Sequence, residues 1–247
     1  MLDHWKHIIS RMRALGLNQE QIRLIGQVDL PHSFQQEYRI RSLLKENSQK
    51  RRIDLQNSLL ASDFIVLDTE TTGFFPEKGD QVISLAAVKI SHGKILPSVF
   101  FTYIKPSDEI TIPQPVIELT KIDETVLYDA PSLEEVIKDF LDFVGHSLIV
   151  GFHISHDLLF LNHFLQEQYQ MKMEQSGFEL QKVLQAIVPE NPFKDLDQAL
   201  EYYAIPIYRR HHALDDSLMT AKLWIKILQE CKKNGIVTLF DLYSKIT

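Results

Sequence analysis

A short run of apolar residues that ends in two acids places the strongest limit on how this chain folds. The run from Phe64 to Leu67 is apolar without interruption, and Asp68 and Glu70 follow it directly. Such a run is typical of a central strand that is buried on both faces. Because side chains alternate along a strand, Asp68 and Glu70 leave the same face of the sheet. The sequence therefore predicts a buried central strand with paired carboxylates at its end.

The pattern around this strand predicts an α/β protein with a mixed central sheet flanked by helices. Further strands are expected at 81–90, 95–104 and 148–150. Apolar residues at helical spacing predict helices at about 133–141, 154–170, 178–187, 195–204 and 214–234. Thr238 and Asp241 resemble the N-terminal box of a last short helix. Strands followed by helices that alternate with short strands are typical of such a sheet.

Residues 1–60 differ from the remainder in pattern and in charge. Their helical spacing predicts a small all-helical extension ahead of one α/β domain at 61–247. Residues 1–60 hold 10 Lys and Arg against 6 Asp and Glu, whereas 61–247 hold 16 against 27. This contrast makes the extension a candidate for contact with a substrate or a protein partner, through Phe34, Tyr38 and Leu44.

The bulk composition limits the class of protein. The net charge is −7, which argues against tight coating of a long polyanion but is compatible with an enzyme that holds a few terminal nucleotides. Cys231 is the single cysteine, so an internal disulfide is excluded and a reducing cytosol is expected. Asp3 and Lys6 interrupt the N-terminus before an apolar run forms, and no run reaches the roughly 20 residues of a membrane span. We expect a cytoplasmic protein.

Asp157 is a second candidate site residue. It lies in the first turn of the helix predicted after the 148–150 strand, on the same helical face as Phe160 and Leu161. Ligands of α/β proteins bind just beyond the carboxyl ends of strands, which favours a functional role. An acid at a helix start also serves as a cap or as a partner of the helix dipole, and the sequence leaves that alternative open.

His211 and Asp216 form a third candidate group. Asp216 opens the long C-terminal helix, and His211 lies five positions earlier in the turn that leads into it. An imidazole beside carboxylates accepts a proton near neutral pH. Taken alone, His211 would be interpreted as a surface histidine. The acids at 215 and 216 would be interpreted as helix caps. Four carboxylates and one histidine together suit two divalent cations and a base.

The motifs resemble those of the DEDDh 3′–5′ exonucleases, the DnaQ-like group that includes proofreading subunits of bacterial replicative polymerases. The resemblance runs from about Phe64 to Ile227. The matching residues are Asp68-Thr69-Glu70-Thr71-Thr72-Gly73 followed by Phe74, and His211-x-Ala213-x-x-Asp216. The departures are Phe152-His153 in place of His-Asn, His156 in place of Phe before Asp157, and Lys121-Ile122 in place of Gly-Ile.

The resemblance implies an RNase H-like fold and two-metal chemistry. Two Mg²⁺ or Mn²⁺ ions would be held by four acids, with a histidine as general base. The implied ligands are Asp68, Glu70, Asp157 and Asp216, and the implied base is His211. The activity implied is hydrolysis at the 3′ end of single-stranded nucleic acid, DNA favoured, with release of nucleoside 5′-monophosphates. The roles left open are DNA replication, DNA repair and RNA-end processing, with a polymerase or another protein as a possible partner of residues 1–60.

The resemblance also implies residues that contact the substrate. Glu70 would accept a hydrogen bond from the terminal 3′-OH, and Phe74 would stack on or beside the terminal base. Thr71 and His153 would contribute further contacts. Stacking of this kind tolerates any base. The choice between DNA and RNA depends on contacts with the 2′-OH, which no motif in the sequence reveals.

Three alternatives compete with this interpretation. Phosphatases of the haloacid dehalogenase type also place an acidic motif after a strand, but their second acid is Asp rather than Glu70, and His211 would have no role. Zinc binding by the four histidines at 146, 153, 156 and 163 lacks a cysteine and any usual finger spacing. The third alternative is a catalytically weak accessory or binding module of a polymerase or RNA-processing complex.

Overall fold

The computed structural model describes residues 32–49, 54–174 and 177–246. The chain divides into two compact units, residues 1–39 and 40–247. In the first unit the described residues form the first half of helix α1 (His32–Gln49). The helices predicted before residue 32 lie outside the described residues, and the domain boundary predicted near residue 60 stays a prediction.

The second unit holds a five-stranded sheet and the helices around it. The strands are β1 (Phe64–Thr71), β2 (Val82–Ser91), β3 (Lys94–Tyr103), β4 (Leu148–Gly151) and β5 (Gly177–Glu179). The helices after α1 are α2 (Gln114–Thr120), α3 (Glu124–Leu127), α4 (Leu133–Val144), α5 (Ile154–Tyr169), α6 (Leu180–Ile187), α7 (Leu196–Tyr202), α8 (Ala213–Lys233) and α9 (Leu239–Ile246).

The sheet is mixed, and β1 lies at its centre. The strand order is β3-β2-β1-β4-β5, with antiparallel pairing from β3 to β1 and parallel pairing from β1 to β5. The expected α/β architecture is confirmed. The sequence prediction was wrong at 178–179, which form strand rather than helix because Phe178 pairs with Val150 of β4. A strand of three residues is too short to show alternation.

Alternate residues of β1 build the core on both faces of the sheet. Phe64 and Val66 face the layer that contains α8, where the Trp224 ring lies edge-on to Phe64 at 5.1 Å between centroids. Ile65 and Leu67 face the opposite layer, which is built from α4, α5 and the second half of α1. All four β1 side chains are at most 2% exposed, as the uninterrupted apolar run predicts.

The second half of α1 belongs to this opposite core layer. Ile40, Leu43 and Leu44 are buried there, at 0%, 5% and 3% exposure. Leu44 therefore packs inward and is not available to a partner, whereas Tyr38 is 41% exposed. The side chain of Phe34 lies outside the described residues.

Side-chain caps fix several helix ends. The Ser132 and Glu135 pair forms a capping box at the start of α4. The predicted box before α9 is present: the Asp241 N–H donates to Thr238 Oγ1 at 3.1 Å, and the Thr238 N–H donates to Asp241 Oδ2 at 2.8 Å. Over the described ranges, no helix combines the length and the apolar character that a bilayer span requires.

Candidate active site

The end of β1 carries the paired acids into a cluster. Asp68 and Glu70 lie on the face of β1 that α8 covers, opposite Ala86 and Ser84 of β2. The pairing with β2 shifts between Glu70 and Thr71, and such irregularities turn a strand end toward a site. Carboxylate oxygens of Asp68, Glu70 and Asp216 all lie within 4.8 Å of one another. The structure thus brings together three of the predicted acids.

Helix α8 places Asp216 in this cluster. Trp224 anchors the helix to the sheet two turns further on, so the first turn of α8 lies over the end of β1. The side chain of Asp216 is buried, and its Oδ2 accepts a hydrogen bond from the His211 backbone N–H at 3.0 Å. The residue predicted as the base is thereby tied to one of the predicted ligands.

Asp157 reaches β1 from the other side of the sheet. It is 4% exposed, and its Oδ1 accepts two hydrogen bonds of 2.7 Å, from the backbone N–H and the Oγ1 of Thr69. Thr69 alternates with Asp68 and Glu70 along the strand, so this contact links the two faces at the strand end. Asp157 is outside the closest group of three acids, and its predicted role as a ligand stays a prediction.

A tight turn between β4 and α5 sets the position of Asp157. A Cβ added at Gly151 would lie 2.8 Å from Ile154 Cδ1 and 3.1 Å from Leu67 O, so only glycine fits this approach to β1. His153 then adopts a left-handed conformation with φ of 61°, and its N–H donates to Glu179 Oε1 at 2.8 Å. Its ring packs edge-on against Phe152.

The three acids of the cluster and the nearby Asp157 all have raised pKa values. Burial, followed by repulsion from Asp216 and Asp157, raises the pKa of Glu70 to about 8. Burial raises the pKa of Asp157 to about 7, although its hydrogen bonds from Thr69 oppose the shift. Burial and the neighbouring acids raise the pKa of Asp68, and burial raises that of Asp216. A divalent cation relieves this repulsion between carboxylates, and oxygen ligands are the ones that Mg²⁺ and Mn²⁺ prefer.

Arg210 is a residue of the site that sequence reasoning missed. Its Nη1 pairs with Asp216 Oδ1 and its Nε pairs with Asp197 Oδ1. The guanidinium charge lowers the pKa of Asp68, Glu70 and Asp216, against the larger effect of burial. The sequence did contain a signal for this residue: Arg210 directly precedes the motif residue His211 in an acidic part of the chain.

These residues line a cleft of about 190 Å³ at the end of β1. The end of β1, the β4–α5 turn and the segments that precede α7 and α8 line this cleft. The lining residues are Asp68, Thr69, Glu70, Phe152, His153, Asp195, Leu196, Arg210, His211 and Asp216. His211 lines the cleft in a left-handed backbone conformation, with φ of 57°. The predicted base and three predicted ligands therefore face one space.

An exposed aromatic ring projects from the loop after β1. Phe74 is 73% exposed, so it does not pack in the core. Asp80 braces the loop by accepting the Phe75 N–H at 2.9 Å, and a Cβ on Gly73 would collide with the Asp80 carboxylate. The His156 ring contacts Phe74, with centroids 5.7 Å apart.

Thr71 and His156 connect this loop to α5. Thr71 Oγ1 donates to the Gly73 carbonyl at 2.7 Å and lies 3.3 Å from His156 Nε2. Because the hydroxyl proton of Thr71 is directed at Gly73, Thr71 Oγ1 is the acceptor for a proton on Nε2. His156 thus forms part of the wall beside Phe74.

The zinc interpretation finds no support in the geometry. Across residues 32–49, 54–174 and 177–246, the group of His, Cys, Asp and Glu residues spaced to hold a metal ion is the acid cluster. Two of the four histidines of that alternative have other contacts: His163 pairs with Glu167 at 3.4 Å, and His156 contacts Phe74 and Phe160.

The fold and the acid cluster together define a protein of the nuclease class. The chain belongs to the exonuclease family: the family model described as Exonuclease matches residues 65–224. It is homologous to a DNA polymerase III epsilon subunit, so the resemblance of the motifs to the DnaQ-like exonucleases is confirmed.

Two relatives show the extent of this homology. The chain is 32% identical over 196 residues to DNA polymerase III subunit epsilon of Aquifex aeolicus, covering 79% of this chain and 95% of the relative. It is 31% identical over 192 residues to DNA polymerase III PolC-type of Thermotoga petrophila, covering 78% of this chain. The match spans 14% of that second, much longer relative.

Two solved structures share the fold. The nuclease domain of 3′hExo, a DEDDh family member bound to rAMP, superposes with a TM-score of 0.61 at 20% identity and covers 70% of this chain and 95% of that one. E. coli Exonuclease I in complex with a dT13 oligonucleotide gives a TM-score of 0.59 at 18% identity, covering 70% of this chain and 42% of that one. The RNase H-like exonuclease fold is therefore confirmed.

Proposed function

We propose that this protein is a metal-dependent 3′–5′ exonuclease that hydrolyses single-stranded nucleic acid and releases nucleoside 5′-monophosphates. The observation that carries the proposal is the cluster of Asp68, Glu70 and Asp216 oxygens within 4.8 Å, at a cleft that His211 also lines. Membership of the exonuclease family supports it. DNA is the favoured substrate because the relatives at 31–32% identity are named as DNA polymerase III proteins.

The four acids fit two divalent cations, Mg²⁺ or Mn²⁺. All of them offer oxygen ligands, and the raised pKa values show that unneutralised negative charge is costly in this cluster. Asp68, Glu70 and Asp216 would hold the ions, with Asp157 completing the set. When bound, the ions supply an activated water and stabilise the leaving 3′ oxygen.

The experiment that tests the function uses purified protein with single-stranded DNA or RNA, labelled at the 3′ or the 5′ end, in Mg²⁺, Mn²⁺ or EDTA. The expected result is stepwise, metal-dependent loss from the 3′ end, with nucleoside 5′-monophosphates as products. Absence of cleavage of both polymers in both metals would contradict the proposal and favour an accessory or binding module instead.

His211 is proposed as the general base. We expect His211→Asn to lower kcat by about 10²–10⁴-fold, the usual contribution of a positioned base. Asn is the appropriate replacement because it tolerates the left-handed conformation at this position. It also keeps the backbone hydrogen bond to Asp216.

The matched control for this variant is His92→Asn. His92 also has a positive φ, of 49°, but lies in the exposed turn between β2 and β3. Both variants should melt within a few degrees of the parent protein. A kcat for His211→Asn equal to that of His92→Asn would exclude His211 as the base.

Phe74 is proposed to stack on the terminal base. Its exposure leaves the ring free for such a contact, and Glu70, Thr71 and His153 are proposed to bind the terminal nucleotide beside it. We expect Phe74→Ala to raise KM for oligonucleotides by about 10–100-fold, since base stacking contributes roughly 1–3 kcal/mol. Steady-state kinetics on a short labelled oligonucleotide measure this.

Phe75→Ala is the matched control for Phe74→Ala. Phe75 is the adjacent aromatic residue, it is 49% exposed, and its ring is covered by Lys78 Nζ at 4.1 Å. Equal KM values for the two variants would show that Phe74 does not contact the substrate.

The cellular setting is part of the proposal. We propose roles in DNA replication or repair and a cytoplasmic location. Relatives that are named as DNA polymerase III proteins support a role in replication, and the free Cys231 suits a reducing compartment. Residues 1–60 are proposed to contact a polymerase or another protein. Within the described part of that segment, Tyr38 is exposed enough to serve in such a contact.

A further inference from the structure

Arg210 places a guanidinium group inside the acid cluster. Its side chain is 22% exposed and forms ion pairs with two carboxylates, Asp216 through Nη1 and Asp197 through Nε. Asp216 belongs to the proposed metal ligands, whereas Asp197 lies in the first turn of α7, outside the cluster, with a side chain that is 48% exposed. The guanidinium is thus anchored from outside and directed into the cleft.

The cleft offers a phosphate group few other positive partners. Among the described residues that line it, Arg210 is the only Lys or Arg. The surrounding part of the chain, residues 61–247, carries 16 Lys and Arg against 27 Asp and Glu. A nucleic acid strand that enters this cleft brings phosphates into a strongly acidic setting, so a cation in the wall has a large effect on its binding.

Cation binding by Asp216 would weaken the ion pair between Arg210 Nη1 and Asp216 Oδ1. A partly buried guanidinium requires anionic partners, and Asp216 cannot give its charge fully to a metal ion and to Arg210 at once. The Nε contact with Asp197 would remain, and Nη1, in the wall of the cleft, would be available to another anion. Guanidinium groups bind phosphate through paired N–H donors with favourable geometry.

We propose that Arg210 is a phosphate-binding residue of this active site, held by Asp197 and directed at a backbone phosphate of the bound strand. The inference rests on the proposed exonuclease function and names a substrate contact that its motifs do not include. Arg210 binds the strand, and Asp197 acts through it as a positioning residue.

The test compares Arg210→Gln with Arg209→Gln. Arg209 is the adjacent arginine, its side chain is 61% exposed, it pairs with Asp215, and it does not line the cleft. The probe is a 5′-fluorescein-labelled oligothymidylate of about five nucleotides, with phosphorothioate linkages that resist cleavage. Its affinity is measured by anisotropy in Mg²⁺ between about 50 and 200 mM salt.

We expect Arg210→Gln to weaken binding of this probe by roughly 10-fold or more at low salt, as for a lost charged hydrogen bond. The slope of log K against log salt should become less steep by about 0.7, the value for one phosphate contact on a single strand. Arg209→Gln should keep the parent slope. Arg210→Lys should restore the slope and part of the affinity, since it keeps the charge without the paired donors.

A second readout excludes a merely structural role. Calorimetric titration of Mn²⁺ without nucleic acid should show that Arg210→Gln binds the ion at least as tightly as the parent, because a competing cation has been removed. Asp197→Asn should reproduce a part of the affinity loss for the probe. An unchanged salt slope in Arg210→Gln, or weakened Mn²⁺ binding with the parent slope, would overturn the inference.

The experiments separate two outcomes: loss of the proposed role of Arg210 alone, and loss of the proposed exonuclease function. If the parent protein degrades labelled strands from the 3′ end and Arg210→Gln matches Arg209→Gln in affinity and slope, only the role of Arg210 is rejected. If the parent degrades no strand in either metal, the exonuclease proposal itself is rejected.

Discussion

Asp68→Asn is expected to abolish hydrolysis of labelled oligonucleotides, with a fall in kcat of about 10³-fold or more. Asp68 belongs to the acid cluster and is half-buried, and desolvation, followed by repulsion from Asp157, Glu70 and Asp216, raises its pKa. The amide keeps the shape of the side chain but removes the charge that would hold a cation. Metal ions contribute several kcal/mol of transition-state stabilisation, and each 1.36 kcal/mol is a factor of ten in rate.

The same substitution should not unfold the protein. Because Asp68 is ionised in the fold only against repulsion, Asp68→Asn should leave the melting temperature in EDTA unchanged or higher. Asp139→Asn is the control, since this acid lies on α4 with a side chain that is 66% exposed. Activity of Asp68→Asn within a few-fold of Asp139→Asn would refute the assignment of the acid cluster as the catalytic centre.

Without metal, the protein is expected to lose stability as pH rises from about 4 to 8. The folded pKa of Glu70 is about 8 and that of Asp157 is about 7, both above the ordinary values of 4.5 and 3.8. A raised folded pKa means that the stabilising contribution is fully present below the unfolded pKa and is lost as pH rises through the folded pKa. The expected loss is on the order of a few kcal/mol, or roughly 10 °C in melting temperature.

Thermal unfolding in EDTA at a series of pH values from 5 to 8 measures this effect. Acids with lowered pKa values, such as Asp123 and Asp241, act in the opposite direction but below this window. Glu70→Gln should flatten the dependence, and saturating Mn²⁺ at pH 8 should restore about 3 kcal/mol at a concentration 100-fold above Kd. A metal-free melting temperature that does not fall between pH 5 and 8 would contradict the raised pKa values.

The structure shows the backbone conformation or the ring contacts of three residues that depart from the family motifs. Lys121 stands where a glycine is usual and adopts the left-handed conformation that glycine favours, with φ of 61°. His153 stands where Asn is usual and is also left-handed, a conformation that Asn tolerates well. His156 replaces a Phe yet still packs its ring against Phe160 and Phe74.

Local sequence patterns were sufficient to predict the elements that carry the site. The apolar run of β1 and the two acids after it fixed which face the acids share, because side chains alternate with a period of two. Helical spacing in the same way placed Asp157 on the buried face of α5. Both conclusions depend on residues within a few positions of each other, which is why the sequence contains them.

Tertiary structure alone decided the contacts between distant segments. Thr69 and Asp157 are 88 positions apart, yet their hydrogen bonds join the two faces of the strand end. The pairing of Arg210 with Asp197 and Asp216 depends on how α7 and α8 pack, and the burial of Leu44 depends on where α1 meets the core. No local period encodes such contacts, because they arise from the packing of whole elements. The sequence therefore indicated which acids lie at the end of β1 and at the starts of α5 and α8. The fold decided that the Arg210 guanidinium pairs with Asp216 and that Thr69 donates hydrogen bonds to Asp157.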